Sequence, residues 1–315
     1  HRDLHGSEHS FPTRRSSDLA GLITSTLIPA YVQMQPGTTS ADVMSALSVV
    51  IIALLPLCAA LAFFFVPEPE APIRKAPFNI TKAMKMLGSN RAFLQVTLLV
   101  LVATVGEVFR QTITVFFARD VVGVPNIGVI YFLYFVAALL VVPGWVWLAK
   151  RIEKHRALAL ALVIVAATNA LMFFVPKGGV YFFTALFILK GACYGAVLML
   201  PHAMIADTAD IDTADTLDRQ QGLFYAVTAM VQKMGYAAGS GLPLLILGGV
   251  GYVSAGESRA EPLLALTISY SVIPAVLVLI AAYMAWHYTL TEARHRDIRA
   301  EIDARMAVAS SEVKE

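Results

Sequence analysis

At 315 residues the chain is 57% hydrophobic and only 15% charged, where a soluble domain sits near roughly half apolar and about a quarter charged. With a mean hydropathy of +0.68, there is too little polar surface to cover a folded core, which excludes a soluble enzyme. The net charge of +2 gives no broad field and excludes nucleic acid as an expected partner. Cys58 and Cys193 lie in apolar runs without a pairing or ligand pattern, so neither a disulfide framework nor a zinc site is implied. The composition is that of an all-α polytopic membrane protein, with the lipid bilayer as its first partner.

Residues 1–19, HRDLHGSEHSFPTRRSSDL, share neither composition nor pattern with the rest of the chain. The stretch resembles a sequencing adapter translated in one frame and lacks the order of a signal peptide. The natural sequence is therefore expected to continue upstream of Ala20, and 1–19 are set aside from fold reasoning.

From Ala20 onward eight apolar runs approach the roughly 20 residues that a bilayer core of about 30 Å requires. They cover 20–34, 43–66, 93–118, 127–149, 157–175, 180–205, 223–250 and 263–288. Backbone groups in lipid must be bonded internally, so each run predicts a helix. Between the second and third, 67–77 carries four prolines and reads as an extended cytoplasmic linker. It leads into a short interfacial helix over 79–88, with Ile80, Ala83, Met84 and Leu87 on one face, Asn79 as N-cap and Gly88 as C-cap. After Thr289 the spacing of Ile298, Ile302 and Met306 predicts a solvated amphipathic tail helix.

The basic residues set the orientation. Arg74, Lys75, Lys82, Lys85, Arg91, Lys150, Arg151, Lys154, Arg156, Arg219, Arg294, Arg296, Arg299, Arg305 and Lys314 fall on one side, fifteen in all, against Arg119, Lys177 and Arg259 on the other. The positive-inside bias places the linker and the C-terminus in the cytoplasm.

Soluble-enzyme signatures are missing: there is no phosphate loop, no HExxH and no Cys/His cluster. An EF-hand starting at Asp210 fails, with Ala214 at its fifth place and no Gly at its sixth. Mid-span ionisable residues carry more information, because each costs free energy in the bilayer and faces a partner or cavity. Glu107 and Arg110 stand at i,i+3 spacing and can pair on one helix face; a structural ion pair and a transport role both remain open. Lys190, followed by Gly191 and Gly195, is too central to snorkel and is expected in a polar interior. Lys233, with Gly235 and Gly239 marking a second close helix contact, has no carboxylate on its own helix.

The segment 201–233, PHAMIADTADIDTADTLDRQQGLFYAVTAMVQK, is the most specific feature. Asp207 and Asp210 are expected just past a helix C-terminus and Arg219 just before an N-terminus. Both places are unfavourable for the local dipole, which implies tertiary pairing.

This segment resembles the loop between helices ten and eleven of the glycoside–pentoside–hexuronide:cation symporters, a branch of the major facilitator superfamily related to melibiose permease. The residues that carry the likeness are Pro201, Met204, Ala206, Asp207, Asp210, Arg219, Gly222, Tyr225 and Lys233. Asn90-Arg91-Ala92-Phe93 resembles the entry to that family's helix seven, and Pro143, Trp145, Lys150 and Arg151 the end of its helix eight. Gln221 and Ile211 depart from the pattern, standing where Glu and Tyr are common, and Lys190, Glu107 and Arg110 match no family motif.

The resemblance implies a major-facilitator fragment, helices five to twelve of twelve. Residues 20–66 would be the last two helices of the N-terminal half, 67–92 the linker, 93–288 the C-terminal six-helix half and 289–315 the tail. It implies secondary symport of a sugar or glycoside with Na+ or H+ by alternating access, in a monomer of the inner membrane without organic cofactor. Lys233 would organise coupling acids in earlier helices, and Asp207, Asp210 and Arg219 would form a cytoplasmic gate. Gln111, Tyr194 and Tyr225 would touch substrate. The chain as given lacks half its cavity wall and is expected not to transport alone. A lysolipid-type carrier and a non-transporting scaffold or sensor stay open as alternatives.

Overall fold

The computed structural model describes residues 40–65, 88–216, 221–253 and 260–291, together with 294, 296–298 and 300. The chain divides into two compact units, 1–77 with 126–135, and 78–125 with 136–315. Seven long helices are described: α1 (Ser40–Phe65), α2 (Arg91–Phe116), α3 (Ile127–Ile152), α4 (Lys154–Leu171), α5 (Val180–Thr216), α6 (Gln221–Gly249) and α7 (Ala260–Trp286). They correspond in order to seven of the eight expected spans; 20–34 lies outside the described residues, as does 67–87.

Six helical stretches among the described residues are long and apolar enough to cross a membrane: Met44–Phe65, Arg91–Val122, Ile127–Ile152, Lys154–Phe174, Val180–Ile211 and Ala260–Trp286. α6 is long enough but is not among them. Its Gln232, Lys233, Ser240 and repeated glycines dilute an otherwise apolar run.

Two expectations change, at the end of α5 and in the tail. The helix expected to end near 205 continues to Thr216, so Asp207 and Asp210 lie inside α5 rather than beyond its end. Tertiary bonds hold this part of the helix: Lys154 pairs with Asp207 and Asn90 with the Thr208 carbonyl, while Thr208 and Ala209 are buried. The interfacial helix expected to stop at Gly88 falls outside the described residues apart from its end, where Gly88 and Ser89 are both helical. In the tail, Arg294, Arg296 to Ile298 and Ala300 are helical, and Ile298 packs on the apolar core instead of standing free in water.

In the larger unit α2 lies along α6 and α7, while α4 lies along α5 and α7. Glycines make the close approaches expected from the sequence. A Cβ at Gly239 would stand 2.8 Å from Val108 Cβ and 3.0 Å from the Val105 carbonyl oxygen on α2, and one at Gly195 would stand 2.5 Å from Val142 Cγ2 on α3. Without a water-driven hydrophobic force between helices, such backbone proximity supplies the packing energy.

α2 begins at Asn90, whose Oδ1 accepts from the Phe93 N–H at 3.0 Å, an ordinary N-cap. The same amide donates through Nδ2 to the Thr208 carbonyl at 3.0 Å, which fixes the start of α2 to the emergent end of α5. Trp145 on α3 donates to the Ala192 carbonyl of α5 at 2.7 Å. Both residues belong to motifs that carry the family likeness, and both tie helices together.

Apolar side chains cover the outside of this unit as well as filling most of its core. Leu140, Phe174, Tyr181 and Leu245 are exposed, while Arg110, Asn169, Lys190 and Ser271 are buried. An apolar outer face, with a few charged and polar side chains enclosed among apolar ones, is the arrangement expected of helices that line a transport path.

Candidate functional site

The buried charges meet at one place, where α2, α4, α5 and α7 come together. Glu107 and Arg110 are one helical turn apart and pair, Nη2 to Oε1, at 2.7 Å. The other carboxylate oxygen, Oε2, receives Lys190 Nζ from α5 at 2.8 Å. Gln111 donates to Oε1 at 3.1 Å. Arg110 also donates through Nη1 to the Tyr270 hydroxyl on α7 at 3.1 Å and to Thr114 Oγ1 at 3.3 Å. Its guanidinium carbon lies 5.4 Å from the Phe187 ring centre and 5.7 Å from that of Tyr270, within cation–π range. Phe117 stacks on Tyr270 with centroids 4.0 Å apart. Lys190 Nζ donates a further bond to Asn169 Oδ1 of α4 at 2.9 Å.

Burial is deep on one side of this cluster and shallower on the other. Arg110 is 1% exposed, Lys190 2% and Asn169 0%, whereas the Glu107 side chain is 16% exposed and Gln111 is an exposed residue. One carboxylate therefore links two cations and opens toward the surface of the unit through Gln111.

A second set of charges lies at the end of α5 that emerges from the apolar region. Lys154 Nζ meets both oxygens of Asp207, at 2.9 and 2.6 Å, which supplies the tertiary pairing inferred for Asp207. Asp210 is half-buried one turn on. Glu153, between α3 and α4, sits at φ 76° and ψ 148°, a conformation that costs a non-glycine residue on the order of 1–3 kcal/mol. Its carboxylate faces His155 Nε2 at 3.4 Å and Arg156 at 4.0 Å. A small cavity is lined here by Lys154, His155, Asp207 and Tyr288. Burial first, and the nearby Asp207 carboxylate second, push the Tyr288 hydroxyl well above the usual tyrosine value.

At the opposite end of α2 a π-helical turn, Phe117–Val122, ends at Gly123 with φ 81°. Arg119 grips Asp120 through Nε and Nη2, and the Tyr252 hydroxyl after α6 donates to the same carboxylate. Burial, then this bond, push the Tyr252 hydroxyl up to about 12, so it stays a donor throughout the physiological range.

Of the residues singled out from sequence, Glu107, Arg110, Lys190 and Gln111 come together. Asp207 and Asp210 belong to the emergent end of α5, and Arg219 lies outside the described residues. Tyr194 is half-buried on α5. Tyr225 is exposed, stacks on His202 and donates to the His202 carbonyl at 3.2 Å. Lys233 stands on the exposed face of α6. Sequence reasoning missed Asn169 and Tyr270, and it counted Lys154 only as a topology signal. The clue to Asn169 was present: an amide inside an apolar helix needs a polar partner, and Lys190 needed one as well.

Among known proteins, the family described as MFS/sugar transport protein matches residues 12–292. An uncharacterized symporter of Synechocystis sp. is 29% identical over 234 residues, covering 72% of this chain and 43% of its own length. A glucuronide carrier protein homolog of Escherichia coli is 27% identical over 173 residues, covering 55% of this chain and 37% of its own. A putative glycoside/cation symporter of Escherichia coli is 25% identical over 220 residues, covering 69% and 47%. The chain thus spans less than half the length of each of these relatives.

Proposed function

This chain belongs to the MFS/sugar transport protein family, and from that premise we propose that it is part of a secondary carrier that moves a sugar or glycoside with Na+ or H+ by alternating access. One observation carries this reading: Glu107, Arg110 and Lys190 form a charged cluster buried inside a unit whose outer face is apolar. Placing three charges within such a unit is costly, and a transport cycle in which they exchange partners gives them a use. Similarity to a glucuronide carrier homolog and to a putative glycoside/cation symporter supports a sugar-type solute.

In the full-length protein the two halves rock about a midplane site. Glu107 holds Arg110 and Lys190 at the cavity wall of this half, with Gln111 on the accessible side. Lys233, on the exposed face of α6, reaches acids of the first, second and fourth helices. Asp207, Asp210 and Arg219 act at the cytoplasmic end, and the Lys154–Asp207 pair fastens α4 to α5 there. The C-terminus is cytoplasmic in the inner membrane.

Membrane vesicles containing the full-length protein test this directly. A panel of radiolabelled methyl glycosides, uronides included, is offered under an imposed Na+ gradient, under a pH gradient and without either. Accumulation of at least one glycoside above equilibrium, abolished when the gradient is dissipated, is the expected result. Equilibration alone for every compound and either gradient would remove cation symport.

A further inference from the structure

The Glu107 cluster contains more positive than negative charge, and only one of its cations can shed a proton. Glu107 faces both Arg110 and Lys190. A guanidinium does not deprotonate in proteins, whereas a lysine ammonium does so readily when enclosed. Loss of a proton from Lys190 would leave a neutral Glu107–Arg110 pair, which costs far less to enclose than the charged triad.

Asn169 is built for that exchange. It is completely buried, its Oδ1 accepts from Lys190, and its Nδ2 makes no hydrogen bond among the described residues. A buried amide with one end used and the other idle is unusual, because an unmet donor is expensive. The charged ammonium offers only donors, and Oδ1 meets it. A neutral amine has a lone pair, and rotating the amide presents Nδ2 to it. One side chain can thus serve both protonation states of Lys190.

The geometry also distinguishes a proton from a metal cation. A hard cation takes a shell of oxygen ligands. Here Oε1 of Glu107 is held by Arg110 and Gln111, and Oε2 by Lys190. The groups facing Lys190 are Glu107 and Arg110 from α2, Asn169 from α4 and Cys193 from α5 itself, with Gln111 behind Glu107 and Tyr270 of α7 behind Arg110. Besides Glu107 they bring no second carboxylate to it.

We infer that Lys190, held between Glu107 and Asn169, is a proton-binding site of this half of the carrier, loaded and unloaded from the Gln111 side. The ammonium N–H bond breaks, its electron pair stays on Nζ, and the proton passes by way of Glu107 to water at the exposed edge of the cluster. Its use in coupling rests on the symport reading above; its existence does not.

The test is the pH dependence of stability of the purified full-length protein, compared with Lys190→Met and Lys190→Arg. An unfolded lysine stays protonated to about pH 10. If native Lys190 is neutral, the unfolded state binds one proton more, and stability rises with pH. Across that window the folding equilibrium constant of the wild type should gain about tenfold per pH unit relative to both variants. Arginine cannot release the proton and methionine has none, so both should lack this component.

Parallel curves for all three proteins would overturn the proposal. If either variant does not fold, Lys190→Gln, which likewise carries no titrating group, replaces it in the same comparison, and a curve parallel to the wild type again refutes the proposal. The two readings fail separately. Parallel curves in a protein that accumulates glycoside on a Na+ gradient remove the proton site alone. A proton-linked difference without any gradient-driven uptake removes symport alone.

Discussion

Glu107→Ala should destabilise the full-length protein by about 3–5 kcal/mol, because it leaves Arg110, and Lys190 whenever it is protonated, enclosed without their shared carboxylate. Arg110 and Lys190 are almost wholly buried and cannot turn toward water without disturbing α5 and α7. Removing Lys190 as well, in Glu107→Ala/Lys190→Met, should recover a large part of the loss, since one stranded charge goes and Arg110 keeps Tyr270 and Thr114. Denaturant or thermal unfolding in detergent, analysed as a double-mutant cycle, measures that coupling. Additive losses in the double variant would mean that Glu107 and Lys190 are neighbours without an energetic bond.

The second large effect is expected at Phe117→Ala. Phe117 is completely buried, stacks on Tyr270 and lies at the start of the π-helical turn that closes α2. In a soluble protein such a truncation costs about 3–5 kcal/mol. Here the unfolded reference keeps the ring in lipid, so the term for leaving water drops out and the cavity term remains. At roughly 24 cal/mol per Å3 of residual cavity, about 2 kcal/mol is expected. Tyr270 would also lose the ring that orients it toward Arg110. Phe117→Leu, which refills most of the volume, should restore most of the stability. A neutral Phe117→Ala would show that α7 closes the gap, and the Arg110–Tyr270 bond could then not depend on the stack.

Much of the fold was readable in the sequence, because apolar runs of this length have one economical conformation in lipid. The seven helices described match the runs from 43 onward. Gly239 and Gly195 meet neighbouring helices as close-approach positions should. The end of α5 was misplaced for a physical reason: the acidic stretch after Ile205 resembles a loop in composition, yet its tertiary ties are invisible in sequence. Asn90 reaches Thr208 from 118 residues away, and Lys154 reaches Asp207 from 53.

The candidate site divides in the same way. Single residues stood out, since a Lys, Arg or Glu in mid-span is conspicuous. Partnerships did not, because periodicity along one helix says nothing of which face meets which. Glu107 and Arg110 were legible as a pair one turn apart. Lys190 joining them, Asn169 supporting it and Tyr270 capping Arg110 all depend on helix packing across the unit. Lys233 stands on an exposed face in this chain, and the acids expected to face it, in earlier helices, are not among the described residues.

The most direct measurement is glycoside transport by full-length Glu107→Gln, assayed in two modes on the same vesicles. Glutamine keeps the shape and much of the hydrogen bonding of Glu107 but removes the charge that holds Lys190 and Arg110 together. Accumulation on a cation gradient should fall at least about tenfold, the equivalent of some 1.4 kcal/mol of lost coupling, while exchange of internal for external glycoside without a gradient persists. Undiminished gradient-driven accumulation by Glu107→Gln would contradict a coupling role for the cluster and leave it as a structural ion pair.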